Sequence, residues 1–158
     1  MDEVRWLDER EERAWRALQF MDMRLNARLA SELAAASDLS YPEYTVLVAL
    51  TDRAGDRMRI FELGATLGWE KSRVSHQIAR MAERGLVAKE KCGDDRRGAY
   101  VVATAEGRQA IEAAAPHHVA TVRRLFIDQL TPAELDTLAG VAERVLAAMA
   151  GEEVRERL

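Results

Sequence analysis

Cysteine is nearly absent from this sequence, and its scarcity excludes several kinds of small protein. The single cysteine, Cys92, can form no disulfide within the chain and supports no multi-cysteine metal site. No apolar run approaches the roughly 20 residues that a membrane-spanning helix needs. The charged start, Met1 to Arg5, is not followed by the apolar stretch of a signal peptide. We therefore expect a cytoplasmic protein that neither spans nor binds a membrane.

Proline and glycine are also scarce, with three and nine residues among 158, whereas alanine, leucine, glutamate and arginine are plentiful. That composition favours helix. Nearly half of the residues are hydrophobic, which favours a folded chain over a disordered one. A chain of this length forms one domain or two closely fused small ones.

Basic residues are fewer than acidic ones, 23 against 27, so the formal net charge is −4. This total argues mildly against a chain that binds nucleic acid over its whole surface. The charge is segregated, however. Residues 69–98 contain eight lysines and arginines against five acidic residues, a net of +3 that leaves −7 elsewhere. A local basic face can carry DNA contacts on an acidic protein.

Hydrophobic spacing predicts a mostly α fold with a small β-hairpin. The predicted helices cover residues 8–36, 42–52, 61–67, 70–84, 105–129 and a last segment from 132, and the predicted strands cover residues 58–60, 86–90 and 99–103. Ser40 with Glu43 and Thr131 with Glu134 match the capping-box pattern of helix starts. The first helix overhangs a small domain, so we expect part of its apolar stripe to need a partner chain.

Residues 57–104 have the order of a winged helix-turn-helix. Two short helices joined by a tight turn at Gly68 precede the hairpin, and the N-terminal residues of such a second helix face base edges in the major groove. Val74, Ile78 and Met81 are predicted to point inward. The outward residues are Lys71, Ser72, Ser75, His76 and Arg80, with Arg73 and Gln77 near the boundary and long enough to reach. An ordinary solvated helix face explains this segment alone about equally well.

The hairpin tip favours DNA binding more strongly. Arg96 and Arg97 lie in a polar loop between Gly93 and Gly98, and a narrow minor groove attracts inserted arginine. Asp95 can orient Arg97 through a charge-assisted hydrogen bond. The alternative is a flexible charged turn.

Three segments together resemble the MarR family of bacterial transcription regulators: residues 61–68, residues 81–87, and residues 94–98 continued through Thr104 to Gly107. The resemblance implies a homodimer that binds pseudo-palindromic double-stranded operator DNA, with repression as the expected outcome. It implies a helical dimerisation region, residues 1–38 and 105–158, around a DNA-binding winged helix, residues 39–104. It also implies that residues 70–84 enter the major groove and that Arg97, braced by Asp95, enters the minor groove.

The resemblance further implies a small-molecule or redox input. Candidate effector-binding residues are Trp15, Met23, Tyr41 and Tyr44, although core or interface packing explains these side chains more simply. A sensing role for Cys92 requires exposure and a lowered pKa. His117 and His118 point about 100° apart on a helix and have no third ligand at suitable spacing, so we expect no metal. No cofactor is expected.

No catalytic triad, phosphate-binding glycine loop or pair of catalytic carboxylates stands out, so we do not expect an enzyme. The runner-up function is a winged-helix module that binds protein and not DNA. The acidic total charge and Glu70 at the start of the predicted recognition helix favour that alternative.

Overall fold

A computed structural model describes residues 4–91 and 99–156 of the chain. The described elements are α1 Glu9–Ala36, α2 Tyr41–Thr51, β1 Arg57–Arg59, α3 Ile60–Leu67, α4 Lys71–Glu83, β2 Val87–Lys91, β3 Ala99–Ala103, α5 Ala105–Leu125 and α6 Pro132–Glu156, with 3₁₀ turns at Ala54–Asp56 and Ile127–Gln129. The predicted mostly α fold with a small sheet is confirmed. None of the described helices is both long and apolar enough to cross a bilayer.

The chain divides into two compact units, Met1–Val119 and Ala120–Leu158. The first contains α1, the winged helix and most of α5, and the second contains the end of α5 and α6. The boundary falls inside α5, and not at the start of that helix. The functional division predicted above, with residues 1–38 and 105–158 serving dimerisation, stays a prediction.

The predicted helix 105–129 is too long. α5 ends at Leu125, and a 3₁₀ turn covers Ile127–Gln129. At the break, Phe126 leaves helical geometry, with φ −134° and ψ −62°. The Gln129 side-chain amide donates to the Arg124 carbonyl oxygen at 3.0 Å. That bond satisfies a backbone carbonyl in the last turn of α5. The sequence at the break, residues 126–130, contains neither glycine nor proline, so it gave no sign that the helix ends there.

Both predicted capping boxes are present. At α2 the Glu43 carboxylate accepts from the Ser40 backbone N–H at 2.8 Å, while the Ser40 hydroxyl oxygen accepts from the Glu43 N–H at 3.4 Å. Thr131 and Glu134 form the same reciprocal pair at α6, at 2.8 and 3.3 Å. Each pair satisfies two backbone N–H donors that a helix start otherwise leaves open.

The core of the first unit lies where α1, α2, α3, α4 and the sheet converge. Its fully buried side chains are Leu33, Val46, Leu47, Leu50, Leu63, Val74, Ile78, Met81 and Val101. The sheet has the order β1-β3-β2, with all neighbours antiparallel. Met58 pairs with Val101 and both are buried, whereas the flanking positions are more exposed. One face of the sheet thus covers the core and the other faces outward.

Thr104 and Gly107 form the joint between the sheet and α5. The Thr104 hydroxyl donates to the Gly85 carbonyl oxygen at 2.5 Å and accepts from the Gly107 N–H at 3.0 Å. A Cβ at Gly107 would lie 2.0 Å from the Leu86 carbonyl oxygen, so only glycine lets the first turn of α5 approach this closely. The Thr-x-x-Gly pattern seen in the sequence is therefore a packing joint.

The apolar stripe of α1 is covered at one end only. Leu29 and Leu33, near the C-terminal end, are 6% and 1% exposed. Trp15, Leu18 and Met21, nearer the N-terminal end, are 41–54% exposed. This agrees with the expectation that part of the helix extends past its own domain. In the second unit, α6 likewise exposes several large apolar side chains, among them Val145 and Leu146.

Candidate nucleic-acid interface

The turn between α3 and α4 is fixed by hydrogen bonds and by one left-handed residue. Gly68 ends α3 with φ 62°, a conformation that glycine adopts without steric penalty. The Trp69 N–H then donates to the Gly64 carbonyl oxygen at 2.9 Å. This is the six-residue hydrogen bond of a Schellman motif. It sets the direction in which α4 leaves the turn.

α4 is amphipathic, as predicted. Val74, Ile78 and Met81 are buried in the core of the first unit. The opposite face is polar and cationic, and its exposed members are Lys71, Ser72, Arg73, His76 and Arg80, with Ser75 partly buried beside them. The helix therefore presents these side chains from a scaffold that cannot rotate without breaking the core.

Gln77 departs from the predicted face. We placed it near the boundary and within reach of DNA, but it is only 4% exposed. Its Oε1 accepts a hydrogen bond from the Arg80 guanidinium. Gln77 stands three residues after Val74 and four before Met81, so it shares their inward face. The Gln77 side chain therefore packs on the inner side of α4, and its role as a DNA contact stays a prediction.

Sequence reasoning missed the partner of Arg73. The Arg73 guanidinium carbon lies 4.3 Å from the centre of the Trp69 ring, a cation–π contact. Trp69 precedes Arg73 by four residues, and α4 begins between them at Lys71. The sequence signal for this contact was an aromatic residue four positions before an arginine, at the start of a predicted helix.

The C-terminal end of α4 is tied to the start of α2. Arg84 donates to the Glu43 carboxylate at 2.6 Å and to the Asp38 carbonyl oxygen at 2.9 Å. Glu43 is only 4% exposed. Burial by itself raises the pKa of this carboxyl, but hydrogen bonds from Ser40 and the nearby Arg84 charge outweigh burial, so the pKa lies below its usual value. The ionised carboxylate is thus the form that holds α4 in place.

This ion pair predicts a pH-dependent stability. Because the pKa of Glu43 is lower in the folded than in the unfolded chain, its contribution is complete above the usual glutamate pKa and is lost as pH falls through the lowered one. Glu43→Gln keeps the capping geometry but removes the charge. We expect it to lower the free energy of unfolding by about 1–2 kcal/mol at neutral pH, since Arg84 is partly exposed.

Urea unfolding at pH values from neutral to acidic checks this prediction. The difference between wild type and Glu43→Gln should shrink steadily toward acid. Parallel pH profiles for the two proteins would show that the Glu43 charge does not stabilise the fold.

Two further arginines lie on the outward face of the three-stranded sheet. The Arg57 and Arg59 guanidinium carbons lie 5.0 and 5.4 Å from the centre of the Tyr100 ring. Glu90, paired with Tyr100 across the sheet, approaches Arg57 at 4.0 Å. The predicted wing residues Asp95, Arg96 and Arg97, together with Cys92, lie outside the described residues.

The four predicted effector residues do not all come together. Tyr44 is buried and Tyr41 partly buried, and their ring centres lie 4.4 and 6.1 Å from that of His118. Burial raises the pKa of both tyrosines, and burial together with the neighbouring His117 lowers the pKa of His118. Trp15 and Met23 are exposed on α1. Tyr41, Tyr44 and His118 therefore form one aromatic cluster within the first unit.

Comparison with known proteins identifies the family. A sequence profile of the MarR family matches residues 37–98. The transcriptional regulator HosA of Escherichia coli is 32% identical over 105 residues, which span 66% of this chain and 73% of HosA.

Two solved structures from Streptomyces coelicolor match almost the whole chain. AbsC, a MarR family transcriptional regulator, is 39% identical, covers 94% of this chain and 99% of its own, and superposes with a TM-score of 0.87. Sco3205, a MarR family regulator solved in complex with DNA, is 32% identical, with coverages of 94% and 92% and a TM-score of 0.87. The chain belongs to the MarR family of transcriptional regulators.

Proposed function

We propose that this protein is a homodimeric transcription regulator that binds double-stranded DNA in a sequence-specific manner and acts as a repressor. The observation that carries the proposal is α4. Its apolar side is locked into the core, and its outer side presents Lys71, Arg73 and Arg80 together with hydroxyl and imidazole groups. Such a helix can lie in a major groove with its N-terminal residues against base edges.

The chemistry of α4 suits both parts of DNA recognition. Arginine can bind a guanine edge through two hydrogen bonds, while lysine and serine suit phosphates or single base contacts. Among the described residues no side chain caps the α4 N-terminus, and its first turn holds no acidic residue. The open backbone N–H groups there favour a phosphate.

Exposed apolar surface supports the dimer. The N-terminal half of the α1 stripe and the apolar side chains of α6 are large and solvent-facing in the single chain. Large apolar side chains exposed along one helix are typical of surfaces that another protein chain covers. In the proposed dimer these faces are covered by a second copy, and the two α4 helices stand roughly 34–36 Å apart, one turn of DNA. A dimer seated on a promoter would block transcription from it.

A small-molecule effector belongs to the same proposal. The cluster of Tyr41, Tyr44 and His118 offers aromatic faces and polar groups at one place in the first unit. Those features suit an aromatic or polar ligand that orders α2 relative to α5.

Removing one arginine from each proposed contact tests DNA binding. Arg73→Ala and Arg97→Ala should each weaken binding to DNA from the protein's own promoter region by roughly tenfold or more, because each loses base or groove contacts. Arg24→Ala, which removes one exposed charge from α1, is the matched control and should bind like wild type. Gel shifts over a range of salt concentrations measure the effect, and wild-type affinity should fall steeply with salt.

A winged-helix module that binds protein predicts a different outcome. In that case wild type would bind promoter DNA no more tightly than random duplex, and both arginine variants would leave this weak binding unchanged. Thermal unfolding of each variant confirms that the fold is intact, so a loss of binding cannot come from misfolding.

A further inference from the structure

We propose that Trp69 is a positioning residue that holds the Arg73 guanidinium edge-on, ready to bind a guanine in the major groove. The inference rests on the proposed function and deepens it, because it names the base that one side chain reads and the residue that prepares that side chain. Trp69 itself contacts no DNA in this scheme.

The indole of Trp69 is held by the turn and by the core. Its side chain is partly buried and packs against the hydrophobic core of the first unit. Its backbone N–H donates to Gly64, and a Cβ at Gly64 would lie only 3.2 Å from the Trp69 carbonyl oxygen. The backbone of the α3–α4 turn is therefore closely packed at this residue, and the indole offers a surface that the core supports from behind.

Arg73 rests on that surface. At 4.3 Å from the ring centre, its guanidinium is attracted to the indole face by the negative charge of the π cloud. In the proposed arrangement the guanidinium lies flat on the ring, which leaves the N–H donors at its edge free for a base. Within the described residues Arg73 forms no ion pair, so no carboxylate among them occupies its guanidinium N–H donors.

Arg80, on the same helix, provides an internal contrast. Its guanidinium already donates to the Gln77 side chain. That bond occupies one of the five N–H donors of Arg80 and turns its guanidinium toward the buried Gln77 side chain. Arg73, the third residue of α4, lies nearer the helix N-terminus, which is the part of a recognition helix that faces base edges.

Preorganisation explains why the stack matters for specificity. A free arginine side chain loses rotamer freedom when it binds, and a side chain already held in one orientation loses less. Two parallel N–H donors in a fixed plane match the O6 and N7 acceptors of guanine and no other base edge equally well. A phosphate, by contrast, accepts from an arginine in many orientations and gains little from a fixed ring.

The experiment compares base discrimination with general DNA affinity. The probe is a duplex selected by the wild-type protein from a library randomised over roughly 20 base pairs, two helical turns. Single-base variants of that duplex locate the guanine that Arg73→Ala no longer distinguishes. Trp69→Leu, which keeps apolar packing without the π face, should then lose discrimination at that base pair by roughly 3- to 30-fold per half-site.

The same variants separate positioning from a structural role. Trp69→Leu should leave affinity for random duplex and its salt dependence unchanged, because the Arg73 charge remains. Trp69→Phe, which keeps an aromatic face, should restore most of the discrimination and also serves if Trp69→Leu fails to fold. Arg73→Lys should keep general affinity but lose discrimination, since lysine lacks the planar fork. In an Arg73→Ala background, Trp69→Leu should have no further effect on discrimination.

Three results would overturn the inference. Unchanged base discrimination in both Trp69 variants would show that the contact between Trp69 and Arg73 does not contribute to reading the guanine. An equal loss on selected and random duplexes would show a structural or phosphate-directed role. Additive effects of Trp69→Leu and Arg73→Ala would show that the two residues act separately. If wild type selects no sequence at all, the proposed function fails instead.

Discussion

Gly107→Ala is expected to destabilise the first unit by about 3 kcal/mol or more, the upper end of what overpacking causes. The new methyl carbon would lie 2.0 Å from the Leu86 carbonyl oxygen and 3.1 Å from a Leu47 methyl group. The nearest atom belongs to the backbone and not to a flexible side chain. Relief therefore requires α5 to move away from the sheet, which breaks the hydrogen bond from the Gly107 N–H to Thr104.

Gly140→Ala is the matched control for this substitution. Gly140 also lies within a helix, α6, but a Cβ there meets only the end of the Arg144 side chain, at 3.7 Å. Alanine has the higher helix propensity, so this variant should be neutral or up to about 1 kcal/mol more stable. Thermal or urea unfolding measures both. If the Gly107→Ala protein is as stable as the Gly140→Ala protein, α5 does not approach the Leu86 carbonyl oxygen as closely as the structure shows.

The parts of the fold that could be predicted are those fixed by neighbours in sequence. The capping boxes at Ser40 and Thr131 involve residues three positions apart, and the inward stripe of α4 repeats every three or four residues. These signals lie within one helical turn, so the sequence alone displays them. The Thr104–Gly107 pattern was visible too, but its reason, the approach to Leu86, appears only in three dimensions.

The parts that could not be predicted depend on distant partners or on small rotations. The ion pair of Glu43 with Arg84 joins residues 41 positions apart, and no pattern of neighbouring residues in the sequence predicts it. The sequence predicted Gln77 near the boundary of the outer face, whereas the structure buries it, because spacing alone does not show how far a polar side chain at a boundary turns inward. Its amide oxygen accepts a hydrogen bond from Arg80 on the same helix, which makes burial of that oxygen tolerable. Trp69 was overlooked because aromatic residues near a turn are usually read as core.

Leu18→Glu is expected to turn the proposed dimer into a monomer and to weaken binding to a two-half-site operator by at least about 100-fold. Leu18 is 48% exposed and lies on the uncovered end of the α1 stripe. A carboxylate in the centre of an apolar interface loses its hydration without gaining a partner. A monomer then binds each half-site separately and loses the high effective concentration that links the two contacts.

Gln19→Glu is the control, because it adds the same charge one position further along α1, on an exposed site about 100° around the helix. It should remain dimeric and bind DNA nearly as wild type does. Sedimentation velocity gives the oligomeric state of each protein. A Leu18→Glu protein that stays dimeric would remove this stretch of α1 from the interface.

Concentration dependence separates loss of the interface from misfolding. A protein that folds as a dimer has a melting temperature that rises with protein concentration, because association stabilises the folded state by mass action. Wild type and Gln19→Glu should show that rise, whereas Leu18→Glu should melt at one temperature at every concentration. Since Leu18 lies outside the buried core of its own chain, the monomeric variant should still unfold in a single cooperative transition over the winged helix. Loss of both cooperativity and dimerisation would instead mean that the winged helix depends on the second copy to fold.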